Sequence, residues 1–134
     1  MKPEAIGGAR DLARYRLEEA RELLVVAKEN LENGHYKSAN NRAYYAVYHA
    51  VNAVLAIDQI AFKKHKDTMA HFNKEYVRTD KFPKDLGKRV GKVQEVRHAS
   101  DYDDFYIASK SETEEQIATA EELIEKVEVF LASV

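Results

Sequence analysis

The segment from Tyr36 to Asp58 constrains this chain more than any other, because it is apolar on most of its circumference when wound as a helix. Tyr36, Ala39, Ala43, Ala46, Ala50, Ala53 and Ile57 recur at helical spacing along one face. Tyr44, Val47, Val51, Val54 and Leu55 form a second apolar face. Such a helix has to be central or lie in an interface, and a row of alanines lets a neighbouring helix come very close. One polar wedge interrupts it. Asn41, Tyr45, His49 and Asn52, with Ser38 and Arg42 beside them, fall within about 100° of one another at 3.6 residues per turn.

The flanking segments supply helices to surround it. Leu17, Ala20, Leu24, Ala27 and Leu31 define an inward stripe on a first helix over Ala9 to Leu31, widened by Leu23 and Val26. Asn33-Gly34 suits its end, since both residues tolerate the left-handed conformation that stops helices. A third helix is expected over Lys66 to Val77, anchored by Met69, Phe72 and Tyr76. The turn Thr79 to Pro83 leads into a fourth helix carrying Leu86, Val90 and Val93. Ser100 to Lys110 is aromatic and acidic and lacks clear periodicity. Ser111 and Glu114 are spaced as a capping box for a last helix, whose inward face reads Ile117, Ala120, Ile124, Val127 and Leu131. The expectation is an all-α, up-down bundle of four to five helices, forming one domain over residues 1–134.

Composition agrees and removes some chemistries. With 5 Gly and 2 Pro in 134 residues, helix breakers are scarce, and 45% hydrophobic residues suffice for a real core. The chain has 0 Cys, so disulfides, thiolate metal sites and thiol nucleophiles are excluded. A formal charge of −2 gives no global attraction to nucleic acid, so any RNA contact has to come from a local patch. Met1 to Ile6 holds no apolar run that could act as a leader, and no stretch approaches the ~18 consecutive apolar residues of a membrane span. A cytoplasmic protein is expected, with no membrane partner.

Arg97 stands out among the polar residues. The stripe Leu86, Val90, Val93 runs directly into it, at a place where another Val or Leu is expected. An inward guanidinium without partners costs several kcal/mol, on the order of that for other buried unpaired charges. It either forms a structural ion pair, for instance with Asp101 one turn on, or waits in a cleft for an anion. His35, His49, His65, His71 and His98 show no metal-ligand spacing, and His98 is expected to be exposed. Asp101, Asp103 and Asp104 read as a solvated acidic loop rather than a magnesium cage, so neither metal nor cofactor is expected. Tyr44, Tyr45 and Tyr48 read as packing residues, and Lys63-Lys64-His65-Lys66 as a short basic cluster able to touch a phosphate backbone.

Ser38-Ala39-Asn40-Asn41-Arg42-Ala43-Tyr44-Tyr45-Ala46-Val47-Tyr48-His49-Ala50 resembles the second-helix signature of HEPN proteins. His65, Phe72, Val77, Thr79, Leu86 and Gly87 are similar to the middle section of the small stand-alone branch of that family. Arg97-His98-Ala99-Ser100-Asp101-Tyr102 looks like its closing Arg-x-x-Ala/Ser-Asp-Tyr motif. The resemblance implies a two-fold homodimer in which the arginine motifs of two subunits meet in a composite cleft. It implies a toxin component with metal-independent ribonuclease activity, in which an Arg-x(4–6)-His pair acts on the scissile phosphate. Alternatively, it implies a non-catalytic partner, or an adenylylation target, of a nucleotidyltransferase antitoxin. A purely structural helical dimer is a third possibility.

Carried onto this sequence, the candidate catalytic residues are Arg97, Tyr102 and Asp101, supported by Arg42, Tyr45, His49, Asn41 and His98. No histidine stands five to seven residues after Arg97; Tyr102 occupies the first of those positions. A phenol, with an ordinary pKa of ~10, is better suited to donate a proton or accept a nucleotidyl group than to act as a base at neutral pH. His49 or His98 is left to supply the base.

Overall fold

The computed structural model describes the backbone of residues 3–134 and the side chains of residues 8–134. The reading of Met1 to Ile6 as free of an apolar leader lies outside the residues whose side chains are described. Five α-helices follow one another: α1 (Pro3–Glu32), α2 (Tyr36–Ile57), α3 (His65–Phe72), α4 (Lys84–Tyr102) and α5 (Lys110–Ser133). One π-helical turn, Asn73–Val77, extends α3. The described residues contain no strand, and none of their helices is long and apolar enough to cross a membrane.

The apolar circumference of α2 decides the architecture. α1, α4 and α5 all pack on it, and α5 also touches α1 and α4. Ala39, Ala43, Ala46, Ala50 and Ala53 are wholly buried, as are Tyr44, Val47, Val51, Val54 and Leu55 on the other face. Cross-helix pairs give the directions. Arg21 of α1 bonds Glu128 of α5 and Lys28 bonds Glu121, so rising numbers meet falling ones. The same holds between α2 and α4, where Asn40 meets Ser100 and Tyr44 meets Arg97.

The connection between α1 and α2 is enforced by its backbone. Gly34 has φ +75°, and its N–H donates to Leu31 O at 3.1 Å while His35 N–H donates to Asn30 O at 2.8 Å. This pair of bonds satisfies carbonyls that a helix end otherwise leaves open, and it turns the chain sharply enough for α2 to return along α1.

Four local expectations need correction. Val26 does not widen the inward stripe of α1; it is 39% exposed, whereas Ala20, Leu24 and Ala27 are buried. The cap of α5 is Ser109, whose hydroxyl accepts from Glu112 N–H at 3.1 Å, and Ser111 lies inside the helix. Both serines precede a glutamate by three residues, so spacing alone does not choose between them. The third helix is not α throughout. Its last turn widens to a π turn, closed by Arg78 N–H on Asn73 O at 2.9 Å. There Phe72 and Tyr76 stack at 5.9 Å, and Phe82 and Phe130 complete the aromatic cluster. Finally, α4 continues through Tyr102, so the first residues of the acidic, aromatic segment are helical.

Because Ala46 sits at zero exposure in the central helix, there is no room for a longer side chain. Ala46→Leu is expected to lower unfolding stability by about 1–3 kcal/mol, the usual cost of overpacking a dense core. Urea denaturation followed by circular dichroism measures it. Unchanged stability would mean that the neighbouring helices do not approach α2 closely at this level.

Candidate functional site

The start of α2 and the end of α4 meet at one end of the bundle, and the polar residues of both lie in that seam. Buried Asn40 donates through Nδ2 to the Ser100 hydroxyl at 3.1 Å, and Ser100 donates to Val96 O at 2.8 Å. One residue further along each helix, Asn41 donates to Asp101 Oδ2 at 2.9 Å. These two bonds fix the register of α4 against α2. That register carries Arg97, one turn before Asp101, over the aromatic residues of α2.

The Arg97 side chain is 14% exposed. Its guanidinium carbon lies 4.4 Å from the ring centroid of Tyr44, 5.6 Å from that of Tyr45 and 6.0 Å from that of Tyr102. Nη1 reaches Asp101 Oδ2 at 3.5 Å, a long contact for a charged pair. Nε is buried and has no acceptor among the described residues. Burial opposes the charge on Arg97, but Tyr44, Tyr45 and Asp101 together outweigh it and hold its pKa above the ordinary arginine value. The guanidinium is a permanent cation, backed by aromatic faces and only partly neutralised.

Behind it stands a histidine. The Tyr44 hydroxyl and His65 Nδ1 are 2.8 Å apart. The His65 ring, at the first residue of α3, stacks on Tyr48 at 3.8 Å between centroids and meets Tyr45 edge-on at 5.8 Å. Burial lowers the His65 pKa below its usual range, and the charges of Arg97 and His49 lower it further. Burial raises the Tyr44 phenol above its ordinary value, with the nearby Arg97 guanidinium pulling the other way. Arg97 and His65 thus share a scaffold of tyrosines.

The remaining candidates are distributed as follows. Arg42 lines an open polar cavity of about 250 Å³ with Lys37, Ser38, Asn41 and Asp101, directly beside the Arg97 ion pair. Tyr102 is 67% exposed, and its ring lies 4.9 Å from that of exposed His98. His49 is further along α2, where its Nδ1 is 3.9 Å from Glu19 on α1. Burial lowers its pKa, against the influence of Glu19. Neither His49 nor His98 is the histidine hydrogen-bonded to Tyr44, the tyrosine on which Arg97 lies. That residue is His65, which a search downstream of Arg97 cannot find because it precedes Arg97 in the chain and lies on another helix. Tyr44 packs, as its helical spacing predicts, and it also bridges the arginine and the histidine. Asp101, Asp103 and Asp104 do not gather into a group of three ligating side chains, and Asp103 instead accepts from Phe105 N–H at 3.1 Å.

Comparison with known proteins gives a consistent result. The model of the HEPN domain family matches residues 13–130. A UPF0332 protein of Thermotoga maritima is 36% identical over 112 residues, covering 84% of this chain and 85% of the relative. Two proteins of Methanocaldococcus jannaschii, each bearing the name "Putative toxin", are 29% and 31% identical. The matches cover 88% and 85% of this chain, and 81% and 84% of those relatives. The crystal structure of TT1696 from Thermus thermophilus superimposes with a TM-score of 0.70 at 27% identity, over 87% of this chain and 95% of that one.

The two depressed histidines set a pH dependence. His65 faces Tyr44, Tyr45, Tyr48, His49 and Arg97, and His49 faces Glu19 and Arg16. A histidine whose pKa is lowered by folding binds fewer protons in the folded chain than in the unfolded one. Stability is therefore full above the unfolded value of about 6.5 and falls as pH drops through the lower folded values. The urea midpoint is expected to be lower at pH 5.5 than at pH 7.5, and His65→Gln should reduce the difference. A midpoint that rises on acidification would contradict these environments.

Proposed function

The chain belongs to the HEPN domain family, and on that premise we propose that it is a toxin component that cleaves RNA without a metal ion, using Arg97 to stabilise the reacting phosphate. The observation that carries this reading is the state of Arg97. Its guanidinium is held against Tyr44, with one long ion pair to Asp101 and a buried Nε that has no acceptor among the described residues. A phosphate oxygen supplies the missing acceptor and competes with Asp101 for Nη1. Charge that builds on phosphorus-bound oxygens in the transition state is best met by a donor already in place, and removal of one such donor typically costs 10²–10³ in rate.

The attacking group is the 2′-hydroxyl of the RNA itself, so the protein has only to position the phosphate, balance its charge and move protons. Lys37 and Arg42 beside the polar cavity, and Lys63, Lys64 and Lys66 next to His65, provide local positive charge for the strand despite the overall −2. Asp101 holds Arg97 in the free protein and releases it to the phosphate. Two subunits meet about a two-fold axis at this end of the bundle, bringing two arginines to one cleft. The nearby loop favours such a contact, since Phe105 is 93% and Ile107 86% exposed.

Exposure of the Tyr102 phenol favours a second reading, in which a nucleotidyltransferase antitoxin docks here and modifies that residue. A nucleotidyl group on Tyr102 stands beside the guanidinium and keeps RNA away from it. The two readings are compatible, since modification would silence the nuclease.

Purified protein incubated with total RNA in EDTA is expected to yield fragments, and Arg97→Ala to lose about 100-fold or more of that activity. Arg97→Lys should recover little, because an ammonium lacks the planar fork. If the wild-type protein leaves RNA intact, or cuts it only with divalent metal, the nuclease reading is wrong. For the second reading, co-expression with a HEPN-associated nucleotidyltransferase should add a nucleotidyl mass to the chain, absent in Tyr102→Phe. An unmodified wild-type chain that also fails to co-purify with that enzyme would rule it out.

A further inference from the structure

We propose that His65 is the proton acceptor for this reaction, replacing in space the histidine that α4 lacks in sequence, and that Tyr44 is the residue that positions it. The inference rests on the nuclease reading and adds to it a residue from a different helix.

The geometry selects His65 from the five histidines. His98 is exposed beside Tyr102, His35 is exposed at the α1–α2 turn, and His71 packs against Phe62 and Tyr76 in the aromatic cluster. His49 is directed to Glu19. His65 alone is hydrogen-bonded to the tyrosine on which Arg97 lies, 2.8 Å from Tyr44 oxygen to Nδ1. Stacking on Tyr48 and the edge of Tyr45 fixes the plane of the imidazole, so rotation cannot carry it away from the seam. Its place at the start of α3, between Lys64 and Lys66, puts it where an RNA strand follows basic side chains into the site.

The chemistry follows from which nitrogen carries the proton. With Nδ1–H donated to the Tyr44 oxygen, Nε2 keeps its lone pair. Burial and the Arg97 charge keep the ring neutral near pH 7, as an acceptor requires. In the step, Nε2 takes the proton of the 2′-hydroxyl as O2′ forms its bond to phosphorus and the bond from phosphorus to O5′ breaks. The departing O5′ takes a proton from a water molecule, and the hydroxide so formed takes the proton from the imidazolium. The products are a 2′,3′-cyclic phosphate and a 5′-hydroxyl end, with no net change in protons and no metal in the balance. The charge that builds on the non-bridging oxygens meets the Arg97 guanidinium, held against the same Tyr44 that positions His65.

The test is the pH dependence of cleavage in wild-type protein, His65→Gln, His65→Ala and Tyr44→Phe, each checked for retained helicity. Wild-type activity should fall on acidification with an apparent pKa below ~6.5. The groups that shape this limb are Tyr44, Tyr45, Tyr48 and His49 on α2, Arg97 on α4, and the neighbouring Lys63, Lys64 and Lys66. His65→Gln should lose about 100-fold or more and lack the acid limb, as expected when a general base is removed. Added imidazole should restore part of the activity of His65→Ala, which a merely structural histidine would not allow. Tyr44→Phe keeps the ring under Arg97 but removes the oxygen, and should show an intermediate loss with a displaced limb. If Arg97→Ala is inactive while His65→Gln keeps the wild-type rate and acid limb, this proposal falls and the nuclease reading stands. If wild-type protein cuts no RNA, both fall together.

Discussion

A guanidinium laid against a buried phenol ring organises one end of this helical bundle. Desolvating a cation costs several kcal/mol, on the order of what a buried ion pair has to recover. Arg97 recovers part of it from the face of Tyr44, since a cation over an aromatic ring contributes roughly 0.5–2 kcal/mol. Asp101, itself held by Asn41, adds a smaller part through its one long contact. The recovery is incomplete, because Nε has no acceptor among the described residues. Replacing such a group by a leucine would suit the bundle better, and the stripe of Leu86, Val90 and Val93 shows that leucine or valine fits this face of α4. An unbalanced cation at the end of that stripe is the physical basis for assigning it an anionic ligand.

The position of that cation depends on α2. Its small and its larger residues are all buried, with α1, α4 and α5 packed on it, so α2 sits in the centre of the bundle. Rotation by a single residue would take Tyr44 and Asn40 out of the seam. The Asn40–Ser100 and Asn41–Asp101 bonds then set the height of α4 against it. The same packing that stabilises the bundle therefore fixes the distance from Arg97 to the tyrosines, and through Tyr44 to His65.

Much of this is legible in the sequence, for definable reasons. The alanine row of Ala39 to Ala53 and the stripe ending in Arg97 are periodic signals, and periodicity reports burial directly. Helix ends are less legible where two residues offer the same chemistry, as Ser109 and Ser111 do. The π turn at Asn73–Val77 has no spacing signature of its own, because it arises from how Phe72 and Tyr76 pack against Phe82 and Phe130. The partnership of His65 with Arg97 is the least accessible. It joins two helices through a third, and no linear spacing encodes a contact that only the packing of α2 creates. The three tyrosines at helical spacing are a partial signal, since Tyr45 belongs to the polar wedge that includes Asn41 and Tyr44 stands next to it.

The most direct measurement is a crystal structure of the protein with a short oligonucleotide whose reacting position carries no 2′-hydroxyl. A backbone phosphate is expected within hydrogen-bonding distance of Arg97, with Asp101 displaced from it and His65 Nε2 facing the sugar at the missing oxygen. A strand bound elsewhere, with Arg97 still closed on Asp101 at saturating oligonucleotide, would contradict this placement.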